Sequence, residues 1–285
     1  MKRKSILTIF VLLLSLALVV TGCGNSGKVQ EQSQQEEPQG EQQGDGSWAR
    51  VKEAGKLVVG LDDGYPPMGF RNDKGELVGF DIDMGDEIGK ILGIEIEWVP
   101  TDWNGVVAAL KAKKFDVIIS GMNMWEERKK EVNFAGPYGA AGQVILVKED
   151  NNDDIRTLED LKGKVIGTQL GSTGEKEARD AGFDEKTMKL YNKFPECFAD
   201  LDNGRIEAVV IDAFAAPEWI KTVKYKRVGE TLGVNDEAFI GIAVRKEDKE
   251  LLDKLNEAID TLLENGTLTE ISEKWIGHDI TEELK

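Results

Sequence analysis

NGVVAALKAKKFDVIISG, residues 104–121, contains the unit from which the fold is read. Over residues 104–113 the apolar Val106, Val107 and Leu110 recur at helical spacing and share one face. Residues 115–119 are then almost wholly apolar and too short for a helix, which marks a buried strand ended by Ser120-Gly121. The same alternation extends in both directions. Strands are expected at 57–61, 94–99, 165–168, 188–191, 206–211 and 239–244. Helices are expected at 82–92, stopped by Gly93, and at 172–181, 195–202, 213–221, 248–264 and 267–276. Near-continuous apolar strands spaced by helices predict parallel sheets covered on both faces. The pattern runs twice, so the fold class is α/β in two lobes.

Polar residues at the strand exits carry the functional signal. In open α/β sheets ligands bind beyond the carboxyl ends of the strands. Asp62 follows one strand, Ser120-Gly121 a second, Gln169 a third and Asp212 a fourth, two in each half. Taken singly each is an ordinary strand end or helix cap; together they describe two lobes facing one cleft. Arg128, in the run SGMNMWEER, is placed to grip a carboxylate with two parallel hydrogen bonds. Lys129 and Lys130 follow it, so a solvated surface arginine is the competing reading. Gly171-Ser172-Thr173-Gly174 opens a helix whose free N–H groups form a second carboxylate cradle. Asp212 offers the opposite charge to an ammonium group.

The remaining chain sets limits. Lys2, Arg3 and Lys4 precede an uncharged apolar run, residues 6–20, and small residues then lead to Cys23, so residues 1–22 read as a signal peptide. The run is short for a membrane span. Cys23 resembles the acylated cysteine of a bacterial lipobox, which implies a lipid anchor on the extracytoplasmic face of the cell membrane. Residues 23–47, rich in Gln, Glu, Gly and Ser, are expected to be a disordered tether. A net charge of −17 excludes nucleic acid and anionic lipid surfaces as partners. Cys197 is the only other cysteine and, between Phe194 and Phe198, reads as a small core residue.

Residues 48–277 resemble the amino-acid-binding receptors of ABC importers, the extracellular solute-binding proteins of family 3. The resemblance is carried by VVGLDDGYPPMGF (58–70), GELVGFDIDM (75–84), DVIISGMNMWEERKKEVNFAGPY (116–138), DLKGKVIGTQLGST (160–173), DNGRIEAVVID (202–212), IGIAVRKED (240–248) and NGTLTEISEKWIG (265–277). It implies a bilobed periplasmic-binding-protein fold, with two α/β lobes joined by a two-strand hinge near Ala141 and Phe239. Lobe 1 would comprise 48–140 plus 237–285, and lobe 2 residues 141–236. It implies a monomer that closes on one free amino acid and docks on a membrane permease, without cofactor, metal or catalytic residue. Arg128 then matches the clamp on the ligand carboxylate, helped by Asn123, Ser172 and Thr173. Asp212 matches the acid that holds the ammonium, with Ser120 and Gly121 beside it. Asp62, Tyr65, Trp103 and Gln169 match the side-chain pocket. Asn123, Trp125 and Met68 depart from the family's usual Ser or Thr, Thr, and Phe.

Asp62 disfavours an acidic ligand, whose buried carboxylate would meet a like charge. Tyr65 and Trp103 suit a planar or cationic group between them. Arginine, lysine, glutamine and cystine are the candidate ligands. Two rival readings remain on the same scaffold. One is a dehydratase-like enzyme using Asp62, against which the single His278 lies far along the chain from the proposed cleft. The other is a surface lipoprotein that senses or adheres without a transporter.

Overall fold

The structure, a computed structural model, describes residues 44–284; the expected signal peptide, Cys23 and most of the expected tether lie outside them. Of that tether, Asp45 to Ser47 already belong to the fold. Ser47 opens helix α1 (Ser47–Ala54), and the Asp45 carboxylate accepts the backbone N–H groups of Lys249 and Glu250 at 2.5 and 3.0 Å. A carboxylate on free N–H groups at a helix start is a stabilising cap.

From α1 the chain forms β1 (Lys56–Leu61) and a small antiparallel sheet of β2 (Gly64–Tyr65), β3 (Gly69–Arg71) and β4 (Leu77–Val78). It continues through α2 (Phe80–Leu92), β5 (Glu95–Pro100), α3 (Val106–Lys111), β6 (Val117–Ile118), α4 (Glu126–Glu131) and β7 (Asn133–Ala140). The second lobe holds β8 (Gln143–Lys148), β9 (Ile166–Gln169), α5 (Thr173–Asp180), β10 (Met188–Tyr191), α6 (Phe194–Asp202), β11 (Ala208–Asp212), α7 (Ala216–Ile220) and β12 (Tyr225–Leu232). The chain then returns with β13 (Phe239–Val244), α8 (Lys249–Glu264) and α9 (Thr267–Trp275). One five-stranded sheet has the order β5-β1-β6-β13-β7, the other β10-β9-β11-β8-β12.

The sheets are mixed, not parallel as the sequence pattern predicts. β5-β1-β6 and β10-β9-β11 are parallel, but β13 runs antiparallel to β6 and β7, and β8 antiparallel to β11 and β12. The reason is connectivity. A parallel neighbour needs a crossover of about a dozen residues or more, usually a helix. β8 and β13 instead enter their sheets directly from the other lobe, through short segments at 141–142 and 233–238. β13, which leads into α8, is in the sequence-based set, but β7, β8 and β12, which no crossover helix links to a parallel neighbour, are absent from it, as are the short β2, β3 and β4.

Local sequence explains the helices that cover these sheets. In α8 the buried Leu251, Leu255, Ala258, Ile259 and Leu262 fall on one helical face. The helix expected at 213–221 begins later, at Ala216, with Pro217 in its first turn, where a missing N–H costs nothing. Cys197 is buried, as a core residue should be, and burial pushes its thiol well up, away from reactivity. Among the described residues no helix is long and apolar enough to cross a membrane.

Candidate functional site

The strand exits of the two sheets meet. β1 delivers Asp62 and β9 ends on Gln169, whose Nε2 donates to Asp62 Oδ2 at 2.6 Å and to the Asn192 carbonyl at 2.8 Å. Asp62's own N–H donates to Ser120 Oγ at 3.1 Å, at the exit of β6. β11 ends on Asp212, whose Oδ2 accepts the Tyr65 hydroxyl and whose Oδ1 accepts Gln143 Nε2 at 2.6 Å. Thr173 Oγ1 donates to Asn123 Oδ1 at 2.8 Å. Trp103 Nε1 and Arg128 both donate to the Gly171 carbonyl, at 3.1 and 2.9 Å. Every one of these bonds except Asp62–Ser120, Gln169–Asn192 and Gln143–Asp212 joins one lobe to the other.

Between them lies a cavity of about 10 Å³, lined by Tyr65, Trp103, Gly121, Asn123, Gln169, Ser172, Thr173 and Asp212. That is roughly the space one water needs. The sequence-expected residues that do not line it are Asp62, behind Gln169, Ser120, behind Asp62, and Arg128, at the cavity's edge. Gly121 has φ +55°, and a Cβ there would lie 3.2 Å from both Phe214 and Tyr65. The left-handed backbone therefore favours glycine at this point of the wall, and any side chain would also press on both rings. Ser172 caps α5, its Oγ accepting the Glu175 N–H at 3.2 Å.

The charges are arranged unequally. Arg128 is only 8 % exposed. Its guanidinium stacks between Trp103 and Trp125, 5.1 and 4.6 Å from the ring centres, and donates to the Asn123 carbonyl at 3.0 Å. Among the described residues no carboxylate lies within ion-pairing distance of it. Burial pulls its pKa down to about 9, against the attraction of Asp212. Burial likewise pushes the Asp212 carboxyl up, opposed by Tyr65, Gln143 and Arg128. Asp62, 1 % exposed, is pushed up by burial and held back by the Gly64 N–H, Gln169 and Lys193. Among the described residues no group of His, Cys, Asp and Glu is arranged to hold a metal ion.

Four contributors escape the sequence reading. Gln143 faces Asp212 across the β8–β11 ladder. Phe194 stacks on Tyr65 with centroids 5.6 Å apart, and Phe214 meets it edge-on at 6.0 Å. Lys193 reaches from the start of α6 to Asp63 at 2.6 Å and Asp62 at 3.8 Å. The one available signal was Lys193-Phe194, a charged and an aromatic residue just beyond the exit of β10.

The model of the bacterial extracellular solute-binding proteins, family 3, matches residues 57–278. The chain belongs to that family. The L-cystine-binding protein TcyJ of Escherichia coli (strain K12) is 40 % identical over 238 residues, covering 81 % of this chain and 86 % of the relative. ABC transporter arginine-binding protein 1 of the same strain is 36 % identical over 225 residues, covering 78 % and 91 %. A solved structure of an ancestral arginine-binding protein bound to glutamine is 45 % identical with a TM-score of 0.73, covering 79 % of this chain and all but 1 % of its own.

In this family 3 protein a further buried acid lies behind the site. Asp81 accepts the Tyr138 hydroxyl at 3.0 Å, and that hydroxyl accepts the Gly121 N–H at 3.1 Å. Asp81 Oδ2 has no partner, and burial pushes the carboxyl up to about 7. A folded-state pKa above the unfolded one means that folding binds a proton. This contribution to stability is complete below the unfolded value of 3.8 and is lost as pH rises through about 7. Asp81→Asn should therefore match the wild type near about pH 3.5, gain on it as pH rises from there to about 7, and melt higher near about pH 8. Melting curves at both pH values check this; an equal difference at both would overturn it.

Proposed function

We propose that this chain is an extracytoplasmic receptor that closes its two lobes on a polar or cationic L-amino acid and delivers it to the permease of an ABC importer. One observation carries the reading: Arg128 is a buried cation without an ion-pair partner among the described residues, at the edge of a cavity lined by the buried carboxylate of Asp212. An isolated buried charge is costly unless something neutralises it. An α-carboxylate on Arg128 and an α-ammonium on Asp212 neutralise both at once. Asn123, Ser172 and Thr173 then supply further bonds to the carboxylate, and Ser120 and Gly121 to the ammonium. Asp62, Tyr65, Trp103 and Gln169 receive the side chain.

The cavity has about 10 Å³ of free space, against the roughly 300–1,000 Å³ of ordinary ligand pockets. Entry therefore requires the lobes to part about the crossings at 141–142 and 233–238, a hinge motion of known type. The lobe-to-lobe bonds of Tyr65, Gln169 and Arg128 are exchanged for bonds to the ligand. The relatives that bind cystine and arginine support a choice among arginine, lysine, glutamine and cystine. We read the chain as a monomeric receptor and not an enzyme, because Arg128 and Asp212 suit an intact amino-acid head group. Cys23, as lipid anchor, would hold it at the outer face of the cell membrane.

The test is thermal stabilisation. A ligand that binds only the folded state adds about 2.7 kcal/mol at a hundredfold excess over its dissociation constant. One or a few L-amino acids should raise the melting temperature. A complete panel, cystine included, with no shift would sink the proposal.

A further inference from the structure

Two pairs of opposite charge lie about the cavity, one at its edge and lining and the other behind Gln169, and only the first takes the head group in the receptor site proposed above. Arg128 and Asp212 form the first. The second is Lys193, from lobe 2, and Asp62, from lobe 1, 3.8 Å apart. Resting on that receptor reading, we infer that Lys193 and Asp62 form a second head-group site, so that the ligand is a bis-amino acid of the cystine type, zwitterionic at both ends.

Local charge balance supports this. Asp63 takes its own cation, Arg71, whose Nε donates to it at 2.8 Å, and also accepts one bond from Lys193 at 2.6 Å. Lys193 has three donors and reaches no other acceptor at hydrogen-bond distance among the described residues. Its ammonium is thus held in place with donors to spare. Its stem is held too. It crosses Gly64 so closely that a Cβ there would sit 2.8 Å from Lys193 Cδ. Asp62 is buried, and its Oδ2 accepts from Gln169, which itself lines the cavity. The Gln169 amide thus occupies the place of an ammonium N–H on Asp62, just as the Tyr65 hydroxyl does on Asp212.

Other ligand classes fit this end less well. A guanidinium or single ammonium entering beside Asp62 meets the like charge of Lys193. A neutral amide brings no charge of its own to Lys193, which already holds Asp63 at 2.6 Å, or to Asp62, 3.8 Å from it. A second ammonium and carboxylate answer both. Lys193 then selects for the far carboxylate, and Asp62 for the far ammonium.

The experiment titrates the full chain by calorimetry with cystine, S-methylcysteine and arginine. S-methylcysteine keeps the near head group and thioether but lacks the second head. The wild type should bind cystine tightest. Lys193→Met, which keeps the stem, should weaken cystine by about ten- to a hundredfold, the worth of a charge-assisted hydrogen bond. S-methylcysteine should hardly change and arginine should stay equal or gain. Lys193→Arg should restore most of the cystine affinity. An equal loss for all three ligands would make Lys193 only a lobe latch and overturn the inference, as would no loss for any or a wild type preferring arginine. A wild type that binds none of them overturns the receptor reading as well.

Discussion

Arg128→Ala is expected to weaken amino-acid binding by about 3–5 kcal/mol, a factor of roughly a hundred to several thousand, while leaving the chain folded. The guanidinium is held at the cavity's edge by both lobes, through the carbonyls of Asn123 and Gly171. Its two tryptophan neighbours exclude water from its faces. A ligand carboxylate brought there in the variant would lose its water without gaining a cation. The unliganded fold has less at stake. Arg128 is bonded only to carbonyls, and removing an unpaired buried charge relieves a desolvation cost. Lys129→Ala is the control, since Lys129 pairs only with Glu126 at the surface, at 3.1 Å. Calorimetry with the ligand found by thermal screening decides the matter. Equal affinities in the two variants would return Arg128 to the rank of an ordinary arginine.

How far the site was legible in the sequence follows from how each residue is placed. Asp62, Gln169 and Asp212 were readable because the end of a parallel strand must point at the cleft, and strands are recognised locally. Gln143 was not. It meets Asp212 through the register of an antiparallel pair, Asp212 opposite Gln143, formed by segments far apart in the chain. Lys193 and Phe194 depend in the same way on how one lobe sits over the other. The parallel-sheet expectation failed for a related reason: β8 and β13 cross between lobes, and no local pattern announces that.

The family departures now have physical content. A serine or threonine has one hydroxyl, but Asn123 has two amide donors and an acceptor. Its Nδ2 donates to the Ala238 carbonyl at 3.1 Å and to the Ala141 carbonyl at 3.4 Å, while its Oδ1 accepts from Thr173. One side chain thus joins both hinge crossings to the start of α5. Trp125 covers the second face of Arg128. Met68 is fully buried under Gly121, where a flexible thioether fills irregular space.

Arg245→Met should be among the most destabilising single changes available in lobe 1, at about 3–5 kcal/mol. The side chain is 2 % exposed and follows the end of β13. Its guanidinium pairs with Asp248 at 2.5 Å and donates to the carbonyls of Phe115 and Leu110 at 2.6 and 3.2 Å. It thereby ties the end of α3 and the start of the β6 segment to the residue that precedes α8. Methionine matches the stem in length and apolar character, so packing changes little. What is lost is electrostatic. Asp248 is itself 6 % exposed and keeps only the half-exposed Arg50 at 3.2 Å. The Phe115 carbonyl loses its Arg245 donor, at about 1–3 kcal/mol if nothing replaces it, while the Leu110 carbonyl keeps the Lys113 N–H at 2.9 Å. Whole domains hold only about 5–15 kcal/mol in reserve, so urea unfolding should begin at a much lower concentration. Arg245→Lys keeps the charge but loses the planar fork that reaches three acceptors, and should fall between. Lys56→Met removes an exposed partner of Glu97 and should leave the midpoint where it is. If Arg245→Met unfolds with the wild type, the buried pair contributes no more than a surface one, and packing alone joins β13 to α3.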